Sequence, residues 1–359
     1  MNGPNRLYLD HAATTPVLPE ARAAMAQALE LWANPSSPHA DGRAARAALE
    51  QARRDIAEAL GWKHELILTS GASEAIAVAA RGAKVPGRSV GATEHDAVRA
   101  AMGRAKVLSV GQDGLIDVAS LHAALAGAPA LVAVQHANNE TGVVQPLGEV
   151  GKRVAAAGGL LLADCAQTAG KLPLPDADFI AVSAHKVGGP PGVGALLVRD
   201  LAKLQAVGGQ EKGYRRGTEN LPAVASFAAT LQAGDFASAM PRLTELRAML
   251  DGRIKEAGGQ TIADGVARLP TIAAYAMPDV TSASQLVQFD LAGISVSAGS
   301  ACSSGSMKPS RVLEAMNLPA DVVASTIRVS FGPDTTEDNV GRFVSEWRRI
   351  AGRAASRAA

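Results

Sequence analysis

Apolar and polar positions along the chain follow two periods. Short apolar runs, rich in Val, Ile, Leu and Ala, fall at 66–69, 88–92, 106–110, 130–135, 160–164, 178–183 and 193–198. Longer stretches with helical spacing separate most of them. Continuous apolar strands alternating with amphipathic helices predict a mostly parallel sheet covered on both faces. Ahead of this region, 1–19 read as an extended arm, 20–31 as a helix, and Asp41 as the N-cap of a long helix running to Leu60, with Gly61 at its end. Beyond Pro222 the character changes. Helical runs at 223–233 and 241–257 lead into shorter strands at 271–277, 294–298 and 326–331, and a last helix opens on the acidic Thr336-Glu337-Asp338. The reading is an α/β large domain over 14–237, with a smaller α+β domain built from 1–13 and 238–359.

The 178–183 strand delivers the chain into Ser183-Ala184-His185-Lys186-Val187-Gly188-Gly189-Pro190-Pro191-Gly192. Burying an ammonium costs several kcal/mol unless something compensates, and a lowered pKa or a covalent imine is the usual compensation. Lys186 is therefore a Schiff-base candidate; a loop lysine lying in solvent is the other reading. The 160–164 strand ends in Asp164, 22 residues earlier. If the two strands are parallel neighbours, Asp164 and Lys186 meet at the carboxyl edge of the sheet, where α/β proteins bind ligands. Pyridoxal phosphate (PLP) requires such a pair: a lysine for its aldehyde and an acid for its ring nitrogen.

Ten segments carry a family resemblance in order: YLDHAATTP, NPSSPH, LTSGASEA, EHDAV, ANNETGVVQP, DCAQTAGKLP, SAHKVGGPPGVGAL, GGQEKGYRRGTEN, SAGSACSSG and STIRVSFG. Together they resemble the cysteine desulfurases, within the aminotransferase class V group of PLP enzymes. The resemblance runs from about Tyr8 to about residue 345. It implies the type I fold of PLP-dependent transferases, with a seven-stranded large domain, and a homodimer with shared active sites.

The resemblance also assigns residues. Ser70-Gly71-Ala72-Ser73-Glu74 follows a strand and opens a helix, so its backbone N–H groups and the Ser73 hydroxyl form a phosphate cradle; a plain capped turn would look the same. By resemblance Ala72, Ser73, Ser183 and His185 hold the phosphate, and Thr218 reaches it from a neighbouring subunit. Ser73 stands where the family commonly has threonine, and the hydroxyl is kept. His95 is expected to stack on the pyridine ring and relay protons, Gln167 to hydrogen-bond the phenolic oxygen, and Asn139 with Arg328 to bind the substrate carboxylate. In an otherwise apolar strand Arg328 faces the site or the solvent according to register.

Every residue near Cys302 in Ala298-Gly299-Ser300-Ala301-Cys302-Ser303-Ser304-Gly305-Ser306 is small or polar. Such a cysteine has no apolar packing partners in its own segment, which argues for an exposed thiol on a mobile loop rather than a buried structural one. Cys165, on a core strand, fits the buried alternative. The long loop before Ser310 is similar to the subgroup with an extended catalytic-cysteine segment. The implied reaction converts L-cysteine to L-alanine and leaves the sulfur as a persulfide on Cys302, for delivery to an acceptor protein in iron–sulfur or other thio-cofactor synthesis. Alternatives are selenocysteine lyase, a class V transaminase that would not need Cys302, and a non-catalytic PLP-binding sulfur-relay scaffold. His11 stands where the family more often has asparagine or tyrosine, and the chain ends soon after its last helix, which leaves the acceptor open.

Composition narrows the field further. The 359 residues are 47% apolar and 19% charged, as in a globular chain with a large core. A formal charge of +1 supplies no field to gather nucleic acid or an anionic membrane. No signal peptide and no apolar run of membrane length is apparent. Two cysteines without CxxC spacing argue against a disulfide framework or a metal site and fit a reducing cytoplasm.

Overall fold

The computed structural model describes residues 6–299 and 309–358, with side chains to 354. The N-terminal arm supplies β1 (Leu7–Tyr8), α1 (Pro19–Leu29) and α2 (Ala40–Ala59). The α/β region follows as β2 (Glu65–Thr69), α3 (Ala72–Gly82), β3 (Gly87–Gly91), α4 (Asp96–Met102), β4 (Lys106–Leu108), α5 (Val118–Leu125), β5 (Ala130–Gln135), α6 (Leu147–Ala156), β6 (Leu160–Asp164), β7 (Phe179–Ser183) and β8 (Gly194–Val198). The remainder is α7 (Leu221–Ala233), α8 (Asp235–Glu256), β9 (Gln260–Thr261), β10 (Ile272–Ala276), α9 (Ser282–Leu291), β11 (Ile294–Ser295), α10 (Arg311–Ala315), α11 (Ala320–Ser325), β12 (Thr326–Ser330) and α12 (Glu337–Ala358).

Seven strands form one sheet in the order β2-β8-β7-β6-β5-β3-β4. All run the same way except β8, which is antiparallel to both β2 and β7. Side chains alternate between two cores, as the pleat requires. On β5, Val132 and Val134 enter the core shared with α2 and α7, whereas Leu131 and Ala133 enter the one under α3 and α4. Burial on both faces explains why these strands read as continuous apolar runs.

Beyond α8, β9, β10 and β12 make a second, antiparallel sheet. The arm returns to this part of the molecule: β1 pairs in parallel with β11, and Ser330 donates its N–H to the Leu9 carbonyl. The division proposed at residue 237 falls in the first turn of α8.

Two local expectations are corrected. His39, not Asp41, caps α2, its Nδ1 accepting the Gly42 N–H at 3.2 Å; Asp41 lies in the first turn, where its charge suits the helix dipole. Helix α8 also begins six residues before Pro241 and carries the proline inside it. Proline forfeits one backbone hydrogen bond there, a loss the packed face of Phe236, Leu243, Leu246 and Leu250 absorbs. No helix among the described residues is long and apolar enough to cross a membrane.

Candidate active site

The carboxyl ends of the parallel strands open into a cavity of about 640 Å³. Strands β6 and β7 are hydrogen-bonded neighbours in parallel, with Asp164 opposite Ala181. A single 3-10 turn, Ala184–Lys186, then carries Lys186 into the same cavity wall as Asp164. Ala72, Ser73, His95, Asn139, Gln167, Ser183, His185 and Arg328 line that wall too. Thr218 is exposed and does not. Cys302 lies outside the described residues, and Gly299, three positions before it, lines the cavity.

Across from Lys186, β2 turns sharply into α3. Gly71 takes φ +148°, a backbone angle that suits glycine, and no side chain caps the helix. The start of α3 lines the cavity, its first N–H groups given no side-chain cap among the described residues, with the partial positive charge of a helix start. Close packing holds this turn: a Cβ on Gly194 of β8 would lie 2.3 Å from the Val182 carbonyl oxygen and 2.7 Å from the Gly71 Cα.

Burial lowers the Lys186 amine to about 8, against the opposing pull of Asp164. Its ammonium makes no ion pair among the described residues. Burial likewise lowers His185 to about 4, helped by the Lys186 and Lys171 charges, so it is a neutral imidazole at pH 7. His95 caps α4, its Nδ1 accepting the Ala97 N–H at 3.1 Å, which leaves the ring proton on Nε2. Burial and then the Lys186 charge lower its basicity. Asp164 Oδ1 accepts the Ala166 N–H at 2.9 Å.

Arg328 faces the site from β12 and is 6% exposed. Its fork is not open, however. One Nη donates to the Asp10 carboxylate at 2.7 Å and the other to the Asn139 carbonyl at 3.0 Å, leaving the buried Nε without a partner among the described residues. Buried, the guanidinium needs a counter-charge, and the arm supplies it. Gln167 donates to the Ala12 carbonyl at 2.9 Å, so its amide is tied to the arm while its Oε1 has no partner among the described residues. Cys165 is fully buried, and desolvation pushes its thiol up.

Residues 7–343 match the aminotransferase class-V family. The chain is 34% identical to the cysteine desulfurase IscS of Dictyoglomus turgidum, across 96% of this chain and 94% of that protein. The chain belongs to the aminotransferase class V family. Among solved structures, the NifS-like protein of Rickettsia africae superposes with a TM-score of 0.88 at 29% identity, covering 97% of this chain and all of that one. A structure described as SspA in complex with cysteine gives a TM-score of 0.79 at 28% identity, over 92% of this chain and all of that one.

Class V aminotransferases of this kind are PLP-dependent. The chain's own cavity fits that cofactor. It offers a helix start without a side-chain cap for a phosphate, a partly buried amine of lowered basicity for an aldehyde, a carboxylate on the adjacent strand, and the Gln167 Oε1, which has no partner among the described residues. Sequence reasoning did not single out Asp10, Glu94, Glu140 or Arg311. Glu140 and Arg311 line the cavity as well, Ser310 donating to Glu140 at 2.5 Å and Arg311 pairing with Asp96 beside His95. Glu140 stands inside the Asn138-Asn139-Glu140 turn, so its position in a motif was the available signal.

Proposed function

We propose that this protein is a cysteine desulfurase that converts L-cysteine to L-alanine and carries the sulfur on Cys302. The observation that carries the reading is the meeting of Lys186 and Asp164, from neighbouring parallel strands, in one cavity with an uncapped helix start. The names of its relatives, cysteine desulfurase IscS among them, point the same way. Bound PLP supplies an electron sink that weakens the substrate bond from Cβ to sulfur.

The protein's part is to bind, orient and move protons. Ala72, Ser73, Ser183 and His185 hold the phosphate, neutral His185 adding no cationic charge of its own. Asp164 pairs with the ring nitrogen, and Gln167 serves the phenolic oxygen. The Lys186 amine, with its lowered basicity, is free at mildly alkaline pH to take a proton from the substrate Cα. The Arg328 Nε and Asn139 receive the substrate carboxylate. His95 stands with its proton on Nε2, ready to exchange protons with the substrate thiol.

Sulfur transfer then balances simply. The Cβ–S bond breaks, an S–S bond forms to the Cys302 sulfur, and the carbon gains a proton to become the alanine methyl group. Attack needs the Cys302 thiolate. Gly299, three positions before Cys302 in the chain, lines the cavity. A homodimer would bring Thr218 to the partner's phosphate, and the exposed apolar side chains Leu29, Leu31 and Trp32 offer a face for it. A reducing cytoplasm suits two cysteines kept as thiols.

Alanine and sulfide are assayed together. Lys186→Ala should abolish both products, and Cys302→Ala should keep the cofactor's spectral response to cysteine while losing sulfide. Persistent desulfuration by Cys302→Ala would refute the persulfide role. A keto acid in place of alanine would mark a transaminase, and preference for selenocysteine a selenocysteine lyase.

A further inference from the structure

Glu94 shares the cavity wall with Asp164 and with Glu74, Asp96 and Glu140, and the reaction above gives it no task. It sits in the β3–α4 turn one residue before His95 and is 4% exposed. Its Oε1 accepts the Gln135 backbone N–H at 2.7 Å; its Oε2 is buried and has no partner among the described residues. No cation pairs with it among the described residues. Arg99, on the helix that follows, donates to the Ala92 carbonyl at 3.3 Å instead. Gln135 is the register partner of Asp164, so Glu94, the Gln135 amide and Asp164 stand in a row along the carboxyl edge of β3, β5 and β6. The side chain is folded back under its own strand: a Cβ on Gly91 would lie 2.9 Å from Oε1. Two further contacts tie the turn to the end of β5, as Gln135 Nε2 and Asn138 Nδ2 both donate to the Thr93 carbonyl, at 3.0 and 3.2 Å.

An ionised carboxylate in this position would hold one hydrogen bond, no cation, and a second carboxylate as neighbour, which does not repay its desolvation. We propose that Glu94 is a positioning residue carried as a neutral carboxylic acid, fixing the turn that presents His95 and adding no second charge beside Asp164. Burial raises its proton affinity most; the Gln135 N–H opposes it, the Asp164 charge adds a smaller raising influence, and Arg99 opposes least. With Oε1 taken as acceptor, the proton belongs on Oε2. The consequence for Asp164, a charge kept for the cofactor's ring nitrogen, rests on the desulfurase reading; the protonation of Glu94 does not.

Infrared spectra of the apoprotein at pH 7 should show a protonated-carboxyl carbonyl band that Glu94→Gln removes. Glutamine repeats the geometry, with an acceptor for the Gln135 N–H and a donor in place of Oε2–H. Glu94→Gln should therefore keep the PLP affinity and the pH midpoint of the bound cofactor's absorbance. Glu94→Leu, which strands the Gln135 N–H, should weaken PLP binding at least about tenfold, as expected for a lost buried hydrogen bond. Identical infrared spectra for wild type and Glu94→Gln would overturn the proposal. So would a midpoint moved by about a pH unit in Glu94→Gln, since that would mean a charge had been removed. These two measurements decide even if Glu94→Leu does not fold. Failure of the desulfurase reading would show separately, as wild-type protein that makes no alanine, and would leave the infrared result standing.

Discussion

Substituting Gly194 by alanine tests whether the phosphate cradle is set by backbone packing. The added methyl would stand 2.3 Å from the Val182 carbonyl oxygen, 2.7 Å from the Gly71 Cα and 3.0 Å from the Gly71 carbonyl carbon. Ordinary contact needs more than 3.4 Å, so the wall must open by roughly 1 Å, and both neighbours are main chain. Overpacking of this kind costs about 1–3 kcal/mol. The displacement falls on the turn whose N–H groups receive the phosphate, where a 1 Å misplacement is worth up to about 100-fold. Titration of the apoprotein with PLP, followed by absorbance, should show affinity lower by at least tenfold, about 1.4 kcal/mol. Differential scanning fluorimetry should show a lowered Tm. Gly252→Ala is the control, since it lies exposed within α8 with nothing inside 4 Å of its Cβ, and helix propensity predicts a gain of up to about 1 kcal/mol. Unchanged PLP affinity and Tm in Gly194→Ala would refute the reasoning.

Two further predictions follow from the electrostatics. Because burial lowers Lys186 to about 8, its amine is increasingly neutral, and nucleophilic, as pH rises through that value. The rate of PLP uptake by the apoprotein should climb with a midpoint near pH 8 and level off above it. Asp164→Asn removes the influence that raises the lysine and should move the midpoint down; a midpoint near the ordinary lysine value of 10.5 would contradict the burial argument. Arg53 grips Glu211 with two hydrogen bonds, at 2.6 and 2.8 Å, and Glu211 also accepts the Leu68 N–H, so the pair pins α2 and β2 to the loop approaching Thr218. Arg53→Ala strands a buried carboxylate and should cost roughly 3–5 kcal/mol in urea unfolding, with a loss under about 1 kcal/mol counting against it.

Much of this protein is written locally. Apolar runs marked each of the seven strands of the large sheet to within a residue or two, because residues buried on both faces leave a continuous trace. Lys186 and Asp164 were legible for a related reason: a charge at the end of such a run is costly unless it has work to do. The strand order was not legible. Nothing near β2 says that it will flank β8, or that β8 will run against its neighbours, since that depends on how the connections cross the sheet. Arg328 was legible as a candidate, but its closed fork was not, because Asp10 stands 318 residues away in the chain. Glu94 carries no local signal, since only the folded chain tucks it under β3 against Gly91 and brings Asp164 close enough to act on it. Periodicity and turn chemistry act over a dozen residues or fewer, and they determined the elements and the residues with chemistry to offer. Which charges face one another, and which of them stay protonated, is a property of low-dielectric contacts between distant segments, and only the folded chain decides it.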